Sequence, residues 1–250
     1  MTQQFAGSSA LVTGGGSGIG RASALALAAE GALVTVAGRT AETLKETVRL
    51  IEASGGAARY VVADITDEAQ VEKAVDAAVA DIGRLDIALN NAGYDGEYQL
   101  TLDYSTDMLD RMIALNVRGM FLSMKHELRR MTPQGSGTIV NMSSGAGLIG
   151  VPGFSGYAAT KAAEIGMTKS TAVEMAPHGI RVNAVCPGLV DTPMIAALDP
   201  GQRTSLDAAH PLGRIARAQE IADAVVWLSS DKASFVTGIA LPVDGGYTVP

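Results

Sequence analysis

Short apolar runs alternate with longer amphipathic stretches along all 250 residues of the chain. The runs are apolar at successive positions, as expected of strands buried on both faces. Seven strands are predicted, at Ser9–Thr13, Leu33–Ala37, Arg59–Ala63, Ile87–Asn90, Gly137–Met142, Arg181–Cys186 and Ile239–Val243. Helices are predicted near residues 18–30, 41–54, 67–82, 106–131, 155–176 and 217–230. The alternation predicts a doubly wound α/β sandwich, with one seven-stranded parallel sheet covered by helices on both faces.

Polar residues mark the starts of several predicted helices. Thr40, Thr66 and Ser155 are candidate N-caps, and Asp67 and Glu68 place acid in a first helical turn. These residue types satisfy the free N–H groups at helix starts.

Composition and charge fit one enzyme-sized domain over residues 1–250. Hydrophobic residues make up 47% of the chain, and no linker-like tract divides it. The net charge of −7 disfavours nucleic acid and anionic membranes as partners. We expect a cytoplasmic protein, because no signal-peptide pattern and no apolar run of ~18 residues is present. The single cysteine, Cys186, follows a strand pattern and is expected to be a buried structural thiol.

A glycine cluster, Thr13-Gly14-Gly15-Gly16-Ser17-Gly18-Ile19-Gly20, lies between the first predicted strand and the first helix. Glycines let the backbone approach a pyrophosphate closely, and the helix N-terminus attracts its negative charge. A flexible loop would have a similar sequence. The position between a strand and a helix favours a dinucleotide-binding turn instead.

A second candidate site consists of Ser144, Tyr157 and Lys161. Tyr157 and Lys161 are four residues apart in a predicted helix, so the phenol and the ammonium share one face. A nearby cation lowers the pKa of a phenol, which makes Tyr157 a candidate general acid/base. A packed tyrosine beside an exposed lysine is the commoner meaning of this spacing alone.

Together these motifs resemble the short-chain dehydrogenase/reductase family, and the resemblance runs from about residue 8 to residue 248. Besides the glycine loop and Tyr157-x-x-x-Lys161, the family's motifs occur in order. They are Asn-Asn-Ala-Gly at Asn90–Gly93, the mid-helix Asn116, Ser143-Ser144 at a strand end, Pro187-Gly188, and Val243-Asp244-Gly245-Gly246. The resemblance implies a Rossmann-type fold and hydride transfer between a nicotinamide and a carbonyl or alcohol carbon.

The resemblance also implies roles for the four catalytic residues. Tyr157 would exchange a proton with the substrate oxygen, and Lys161 would lower its pKa and bind the nicotinamide ribose. Ser144, with Ser143 as the alternative, would hold the substrate oxygen. Asn116 would hold a water that relays protons to Lys161, and it could kink its helix as well as or instead of serving the relay.

The residues expected to bind the cofactor come from several motifs. They are Gly14, Ser17, Gly18, Ile19, Gly20, Arg39, Asp64, Ile65, Asn91, Ala92, Gly93, Tyr157, Lys161, Pro187, Gly188, Val190 and Thr192. No metal is expected.

The end of the second strand bears on the choice between NADP(H) and NAD(H). An acidic residue there would bind the ribose hydroxyls and repel a 2′-phosphate, but Gly38 stands in its place and Arg39 follows. A guanidinium can pair with the phosphate, so NADP(H) is favoured. Ser17 departs from this reading, because many NADP-dependent relatives have a basic residue there. Arg39 as a solvated surface charge is the alternative.

Three segments are expected to form the substrate pocket: Tyr94–Tyr98, Gly145–Phe154 and a lid at about 189–212. Leu189, Met194, Ile195 and Leu198 make the lid apolar, which favours a small to medium apolar ketone or secondary alcohol. These side chains could equally serve only to pack the lid. His210 is expected to have a lid or surface role, since a Tyr–Lys pair needs no histidine.

Three functions remain open on the sequence alone. The leading one is an NADP(H)-linked carbonyl reductase or secondary alcohol dehydrogenase, which the family resemblance implies is a homotetramer. The second is a 3-oxoacyl-carrier-protein reductase, which would dock its acidic partner through Arg129, Arg130 and Lys169. The third is a non-catalytic dinucleotide sensor, against which the retained Asn, Ser, Tyr and Lys argue.

Overall fold

The computed structural model describes residues 3–192 and 200–249. Seven strands form one parallel sheet in the order β3-β2-β1-β4-β5-β6-β9. They are β1 (Ser9–Thr13), β2 (Leu33–Gly38), β3 (Ala57–Val62), β4 (Ile87–Asn90), β5 (Gly137–Met142), β6 (Ile180–Pro187) and β9 (Ala240–Val243). Two short parallel strands, β7 (Val190–Asp191) and β8 (Ala216–Arg217), pair outside this sheet. The predicted sheet is confirmed, with strand bounds shifted by at most two residues.

The helices cover both faces of the sheet. They are α1 (Gly18–Ala29), α2 (Ala41–Ala53), α3 (Glu68–Val79), α4 (Thr106–Met112), α5 (Met120–Gln134), α6 (Ser155–Met175), α7 (Pro200–Ala208) and α8 (Ala218–Ser229). One apolar core joins α1, α2 and α8 to the sheet, and a second joins α3, α5 and α6 to its other face. Strand β1 serves both, because Ala10 and Val12 pack into the first core and Leu11 into the second. The doubly wound class is therefore confirmed.

The order of the strands creates a cleft at one edge of the sheet. The chain runs outward from β1 through β2 to β3 and then returns to β4 on the other side of β1. The connections after β1 and β4 therefore diverge to opposite faces, which opens a crevice beyond their carboxyl ends. Ligands of doubly wound sheets bind at this kind of switch point.

The long helix predicted at 106–131 is interrupted. Residues Ile113–Gly119 form a π-helical stretch between α4 and α5, with the buried Asn116 inside it. A π-helical turn widens the backbone locally and is common at functional sites. The amphipathic pattern predicted the helical run but not the change of winding.

Two of the three predicted N-caps are wrong. Asp67, rather than Thr66, caps α3, because its carboxylate accepts hydrogen bonds from Ala69 N and Gln70 N. The N-cap of α6 is Phe154, one residue before Ser155. Thr40 occupies the N-cap of α2, without a capping hydrogen bond from its side chain.

The predicted lid at 189–212 is described only in part. Strand β7 begins it, and α7 lies near its end. Residues 193–199, which include Met194, Ile195 and Leu198, lie outside the described residues. Elsewhere in the chain, Cys186 is fully buried as predicted, and burial raises the pKa of its thiol to about 11. None of the described helices could cross a membrane.

A buried polar group under the central strands is less expected. Glu127 on α5 has no solvent exposure, and Asn90 donates a hydrogen bond to its Oε2 at 3.0 Å. Asn90 also donates to Asn141 Oδ1 at 3.0 Å, which ties β4 to β5. Among the described residues, Glu127 Oε1 has no hydrogen-bond partner. Burial raises the pKa of Glu127 to about 7, although the bond from Asn90 lowers it.

The raised Glu127 pKa predicts a loss of stability as the pH rises from mildly acidic to neutral. The folded protein holds this proton between the ordinary carboxyl pKa of 4.5 and about 7, so its contribution falls as pH rises through that window. Glu127→Gln mimics the protonated acid and should remove this loss, which is worth at most about 3 kcal/mol. Thermal unfolding at about pH 5 and about pH 8 measures it. An equal drop in Tm for both proteins would contradict the prediction.

Candidate active site

The phenol of Tyr157 and the ammonium of Lys161 lie on one face of α6, close to the end of β5. Gly156 lets the start of this helix approach Tyr104, because a Cβ at Gly156 would lie 2.7 Å from the tyrosine ring. Lys161 Nζ lies 5.5 Å from the centroid of the Tyr157 ring. The structure thus brings the predicted tyrosine and lysine together on α6.

Lys161 is buried, and three acceptor atoms surround its ammonium. Nζ donates to the carbonyl oxygen of Met142 at 3.0 Å and to Glu164 Oε1 and Oε2 at 2.9 and 3.0 Å. Glu164 has no exposure to solvent. Burial alone would lower the pKa of Lys161, but the Glu164 carboxylate offsets this and the Lys161 pKa is raised. Glu164 was not singled out in the sequence, although its spacing of three residues from Lys161 on a helix could have indicated a contact.

The two serines at the end of β5 have different surroundings. Ser144 is half-buried, accepts a hydrogen bond from Ala146 N at 3.1 Å, and lies close enough to the Tyr157 phenol to lower the pKa of that phenol. Ser143 is buried and donates to the carbonyl oxygen of Lys161 at 2.9 Å. This arrangement brings Ser144 rather than Ser143 to the phenol.

The acidity of Tyr157 differs from the expectation. Burial of the phenol raises its pKa and outweighs the Lys161 ammonium, which lowers it. Glu164 and Asp95 raise the pKa further, while the nearby Ser144 hydroxyl lowers it. Lys161 therefore lowers the Tyr157 pKa as predicted, but burial of the phenol outweighs it and the net pKa is raised.

Asn116 is connected to the loop after β4. Its Nδ2 donates to the Tyr94 carbonyl oxygen at 2.8 Å and to Thr160 Oγ1 at 3.0 Å, and its Oδ1 accepts from Tyr94 N at 2.8 Å. Thr160 belongs to α6, so Asn116 joins the π-helical stretch to the helix of the Tyr–Lys pair. The side-chain amide is fully engaged, and the predicted water relay stays a prediction.

The glycine loop and the helix that follows it form a cradle. Gly14 has φ +66° and Gly18 has φ +50°, both in the region that favours glycine. A Cβ at Gly14 would lie 2.7 Å from Asn91 Nδ2, so the loop and the Asn-Asn-Ala-Gly motif pack without room for a side chain. Helix α1 then begins at Gly18 with its N-terminus at the cleft, where it can attract a phosphate. The residues present therefore fit a dinucleotide.

Most of the predicted cofactor residues line two neighbouring cavities. The first, of about 460 Å³, is lined by Gly14, Ser17, Gly18, Ile19, Arg39, Asp64, Ile65, Asn91, Ala92, Gly93 and Thr192, among others. The second, of about 270 Å³, is lined by Tyr157, Lys161, Pro187, Gly188 and Val190, among others. Ile19, Asn91, Gly93 and Thr192 line both, so the two cavities adjoin.

Two residues of the predicted motifs lie behind the cavity wall instead. A Cβ at Gly20 would lie 2.6 Å from Asn91 Nδ2, so this glycine permits close packing under the loop. Asn90 is buried and bonds Glu127 and Asn141, so this first residue of the Asn-Asn-Ala-Gly motif ties the central strands together and lies outside the lining of both cavities.

The far end of the first cavity carries a positive charge. Arg39 is exposed and lines the cavity beside Gly38. No hydrogen bond or ion pair engages its guanidinium anywhere in the described part of the chain. Asp64 lines the same cavity and accepts hydrogen bonds at Oδ1 from the backbone N and the hydroxyl of Thr66, at 2.9 and 2.8 Å.

Arg21 supports this end of the cavity and was missed in the sequence. Its guanidinium donates to the Gly16 carbonyl oxygen, to Thr47 Oγ1 at 3.0 Å and to the Thr43 carbonyl oxygen at 3.3 Å. It thereby ties the glycine loop to α2. Its position in the first turn of α1, on the side facing α2, becomes apparent only when the two helices are packed.

The second cavity is the candidate substrate pocket. Tyr94 and Asp95 from the first predicted wall line it, as does Leu189 from the third, whereas its lining residues include Ser144 but none of Gly145–Phe154, the second predicted wall. The first two predicted walls contact each other, because the Tyr98 ring packs edge-on against Phe154 with ring centroids 5.9 Å apart. Asp95 was not predicted to have a role of its own.

His210 has a structural place at the lid. It is buried, accepts a hydrogen bond at Nε2 from Leu189 N at 3.1 Å, and stacks on Tyr247 with ring centroids 5.1 Å apart. It lines neither cavity described above. Of the predicted alternatives, the lid role fits and the surface role is wrong.

Comparisons with known proteins agree with this geometry. A family model described as "Enoyl-(Acyl carrier protein) reductase" matches residues 14–248. The cis-4-hydroxycyclohexanecarboxylate dehydrogenase of Sinomonas cyclohexanicum is 43% identical over 248 residues, covering 99% of each chain. The cyclohexanol dehydrogenase of Acinetobacter sp. is 42% identical over 248 residues, covering 99% of this chain and 98% of the other.

A solved structure agrees as well. The crystal structure of a levodione reductase superposes with a TM-score of 0.92 at 39% identity, and the match covers 98% of each chain. Sequence identity of about 40% over nearly the whole chain shows both the fold and the family. The chain belongs to the short-chain dehydrogenase/reductase family and is an oxidoreductase of that family.

Proposed function

We propose that this protein is an NADP(H)-dependent oxidoreductase that interconverts a small to medium, largely apolar ketone and its secondary alcohol. The observation that carries the proposal is the cluster of Ser144, Tyr157 and Lys161 in a cavity adjoining the glycine-loop cavity. A cytoplasmic location and a single domain over residues 1–250 belong to the same proposal.

The side chains of the second cavity would manage the substrate oxygen and its proton. The Ser144 hydroxyl would hold the oxygen, and Tyr157 would give it a proton during reduction or take one during oxidation. Lys161 would keep positive charge beside the phenol as that proton moves. A bound nicotinamide would supply or accept the hydride.

The first cavity would hold the dinucleotide. The N–H groups at the start of α1 would bind the pyrophosphate, and Asn91, Ala92 and Gly93 would lie along its middle. Arg39 would pair with a 2′-phosphate, since it is exposed, unpaired among the described residues and not accompanied by an acid at position 38.

An alicyclic alcohol or ketone is the substrate class that we favour. Two relatives are named for cyclohexanol and for a hydroxycyclohexanecarboxylate, and both match nearly the whole chain. Asp95 lines the pocket near Tyr157, and a carboxylate there would repel an anionic substrate. We therefore propose a neutral ring compound in preference to a ring carboxylate.

The carrier-protein reductase is the second candidate, and the name of the matching family model favours keeping it. Its docking surface would need free basic residues near the pocket. Arg130 is paired with Asp76, which leaves Arg129 and Lys169 exposed for this role. A non-catalytic sensor is less well supported, because the phenol, the ammonium and the serine hydroxyl lie together in one cavity.

A homotetramer is also part of the proposal. The family resemblance implies contacts through the long helices near 106–131 and 155–176 and through the carboxyl-terminal strand. Apolar side chains stand exposed on these elements or next to them: Phe121 on α5, Val173 on α6, and Phe235 and Ile239 before β9. Val173 is 77% exposed and Phe235 is fully exposed. Exposed apolar groups in such numbers favour burial against another copy.

Sedimentation velocity tests the assembly. At micromolar concentration we expect a species of four chains, and Val173→Glu should weaken it because a charge would be buried in the contact. A stable monomer of the wild-type protein at that concentration would refute the tetramer.

A panel of ketones tests the proposed reaction. With NADPH and cyclohexanone we expect loss of NADPH absorbance, and slower loss with 4-oxocyclohexanecarboxylate because of Asp95. Tyr157→Phe should lower kcat by ~10²–10⁴-fold, since it removes the proton donor, while NADPH binding stays close to wild type. Retention of more than about a tenth of wild-type kcat would exclude Tyr157 as the general acid.

Paired kinetics with NADPH and NADH test the cofactor. A charge-assisted contact of ~1.5–3 kcal/mol from Arg39 predicts roughly 10–150-fold higher kcat/KM with NADPH. Gly38→Asp with Arg39→Ile should reverse the preference, because the acid attracts the ribose hydroxyls and repels the phosphate. An unchanged ratio in the double variant would make Arg39 a surface charge only.

A further inference from the structure

We propose that Glu164 is a positioning residue of the active site, whose carboxylate fixes the Lys161 ammonium and sets the pH at which Tyr157 ionises. The expected effect on turnover rests on the proposed function. The contact between Glu164 and Lys161 rests on the geometry of α6 and β5 alone.

The contact between Glu164 and Lys161 is built into the interior. Glu164 follows Lys161 by three residues on α6, its exposure is 0%, and Nζ lies 2.9 Å from Oε1 and 3.0 Å from Oε2. A buried carboxylate is costly unless it is paired. Here the buried carboxylate is paired with the proposed catalytic lysine, which lies about one helical turn away on α6.

The contact also uses up the hydrogen-bonding capacity of the ammonium. A lysine has three N–H donors, and here the three acceptor atoms are the Met142 carbonyl oxygen and both oxygens of Glu164. Lys161 Nζ is thereby held on the side of α6 that faces β5. Its distance of 5.5 Å from the Tyr157 ring centroid follows from these bonds.

The charge of Glu164 opposes the action of Lys161 on the phenol. An ammonium favours phenolate, whereas a carboxylate beside it cancels part of that field. Tyr157 therefore experiences a partly neutralised pair rather than an isolated cation.

Few other groups share this environment. Tyr157 is faced by Lys161 and Glu164 from its own helix, by Asp95 from the loop after β4, and by the Ser144 hydroxyl from the end of β5. The Ser143 hydroxyl also faces Glu164, and the charge of Glu164 raises the pKa of the Cys186 thiol on β6.

The protonation states suit this role at alkaline pH. Burial raises the pKa of Glu164 to about 7, although Lys161 lowers it, so above that pH the carboxylate is charged. Cys186 keeps its proton up to about pH 11. In the pH range in which a tyrosine titrates, Glu164 is therefore mostly ionised, whereas the Cys186 thiol is mostly still protonated.

Substitution by glutamine isolates the charge. Glu164→Gln keeps the size of the side chain and one carbonyl oxygen for Nζ, but it removes the negative charge. Tyr157 should then ionise at lower pH, by on the order of one pH unit for a unit charge several Å away at an effective dielectric constant of ~20. Glu164→Asp keeps the charge and should stay close to wild type.

Near-ultraviolet absorbance of the phenolate in the cofactor-free protein measures this shift. The signal of Tyr157 is the difference between each protein and the same protein carrying Tyr157→Phe. The matched control is Glu127→Gln, which neutralises another fully buried carboxyl that contacts Asn90 rather than Lys161. Glu164→Met repeats the removal of charge in case Glu164→Gln does not fold.

The expected result is a midpoint lowered by about one pH unit in the two uncharged Glu164 variants, and unchanged in Glu164→Asp and Glu127→Gln. In alcohol oxidation the midpoint of kcat/KM should move in the same direction, with little change in the KM for the cofactor. A merely structural Glu164 would lower the rate without moving either midpoint.

Coincident midpoints for wild type and the uncharged variants, or an equal shift in Glu127→Gln, would overturn the proposal. The absorbance titration needs no turnover. If no alcohol or ketone reacts, the proposed function fails while this titration still decides the role of Glu164.

Discussion

The parallel arrangement of the strands is the constraint on which the site depends. Parallel strands end at the same edge, and the register sets Thr13 beside Asn90 and Asn90 beside Asn141. The glycine loop, the Asn-Asn-Ala-Gly motif, the paired serines and Pro187-Gly188 follow β1, β4, β5 and β6, which are consecutive in the sheet. Motifs more than 170 residues apart in sequence therefore meet at one cleft.

A charged lysine beside the end of β5 imposes the next requirement. Burying an ammonium is costly, and the chain compensates with a backbone carbonyl from β5 and a carboxylate from α6. The compensation changes the chemistry, because the carboxylate that makes Lys161 tolerable also weakens its pull on the Tyr157 proton. Stability of the charge and acidity of the phenol are thus set by the same contact.

Local sequence pattern predicted those features that depend on neighbours along the chain. The seven strands, the covered sheet, the buried Cys186 and the shared face of Tyr157 and Lys161 follow from periodicity and spacing. The family motifs indicated most of the lining of both cavities.

The features that sequence did not predict depend on packing between elements. The bonds of Arg21 require α1 and α2 to meet, and the π-helical turn around Asn116 accompanies its bonds to the Tyr94 backbone and Thr160. The sequence does not distinguish Glu164 from other polar positions of α6, and its burial becomes apparent only when the helix packs against β5. The sequence indicated that Lys161 lowers the Tyr157 pKa, but the larger opposing effect of burial, and the smaller one of Glu164, enter only with the tertiary structure.

Isotope labelling shows whether hydride passes directly from the nicotinamide to the substrate carbon within this cleft. NADPH deuterated at both C4 positions of the nicotinamide would be incubated with cyclohexanone in ordinary water, and the alcohol analysed by mass spectrometry and NMR. We expect one deuterium on the carbinol carbon, while Tyr157 supplies an exchangeable proton to the oxygen. Cyclohexanol without deuterium on that carbon would contradict it.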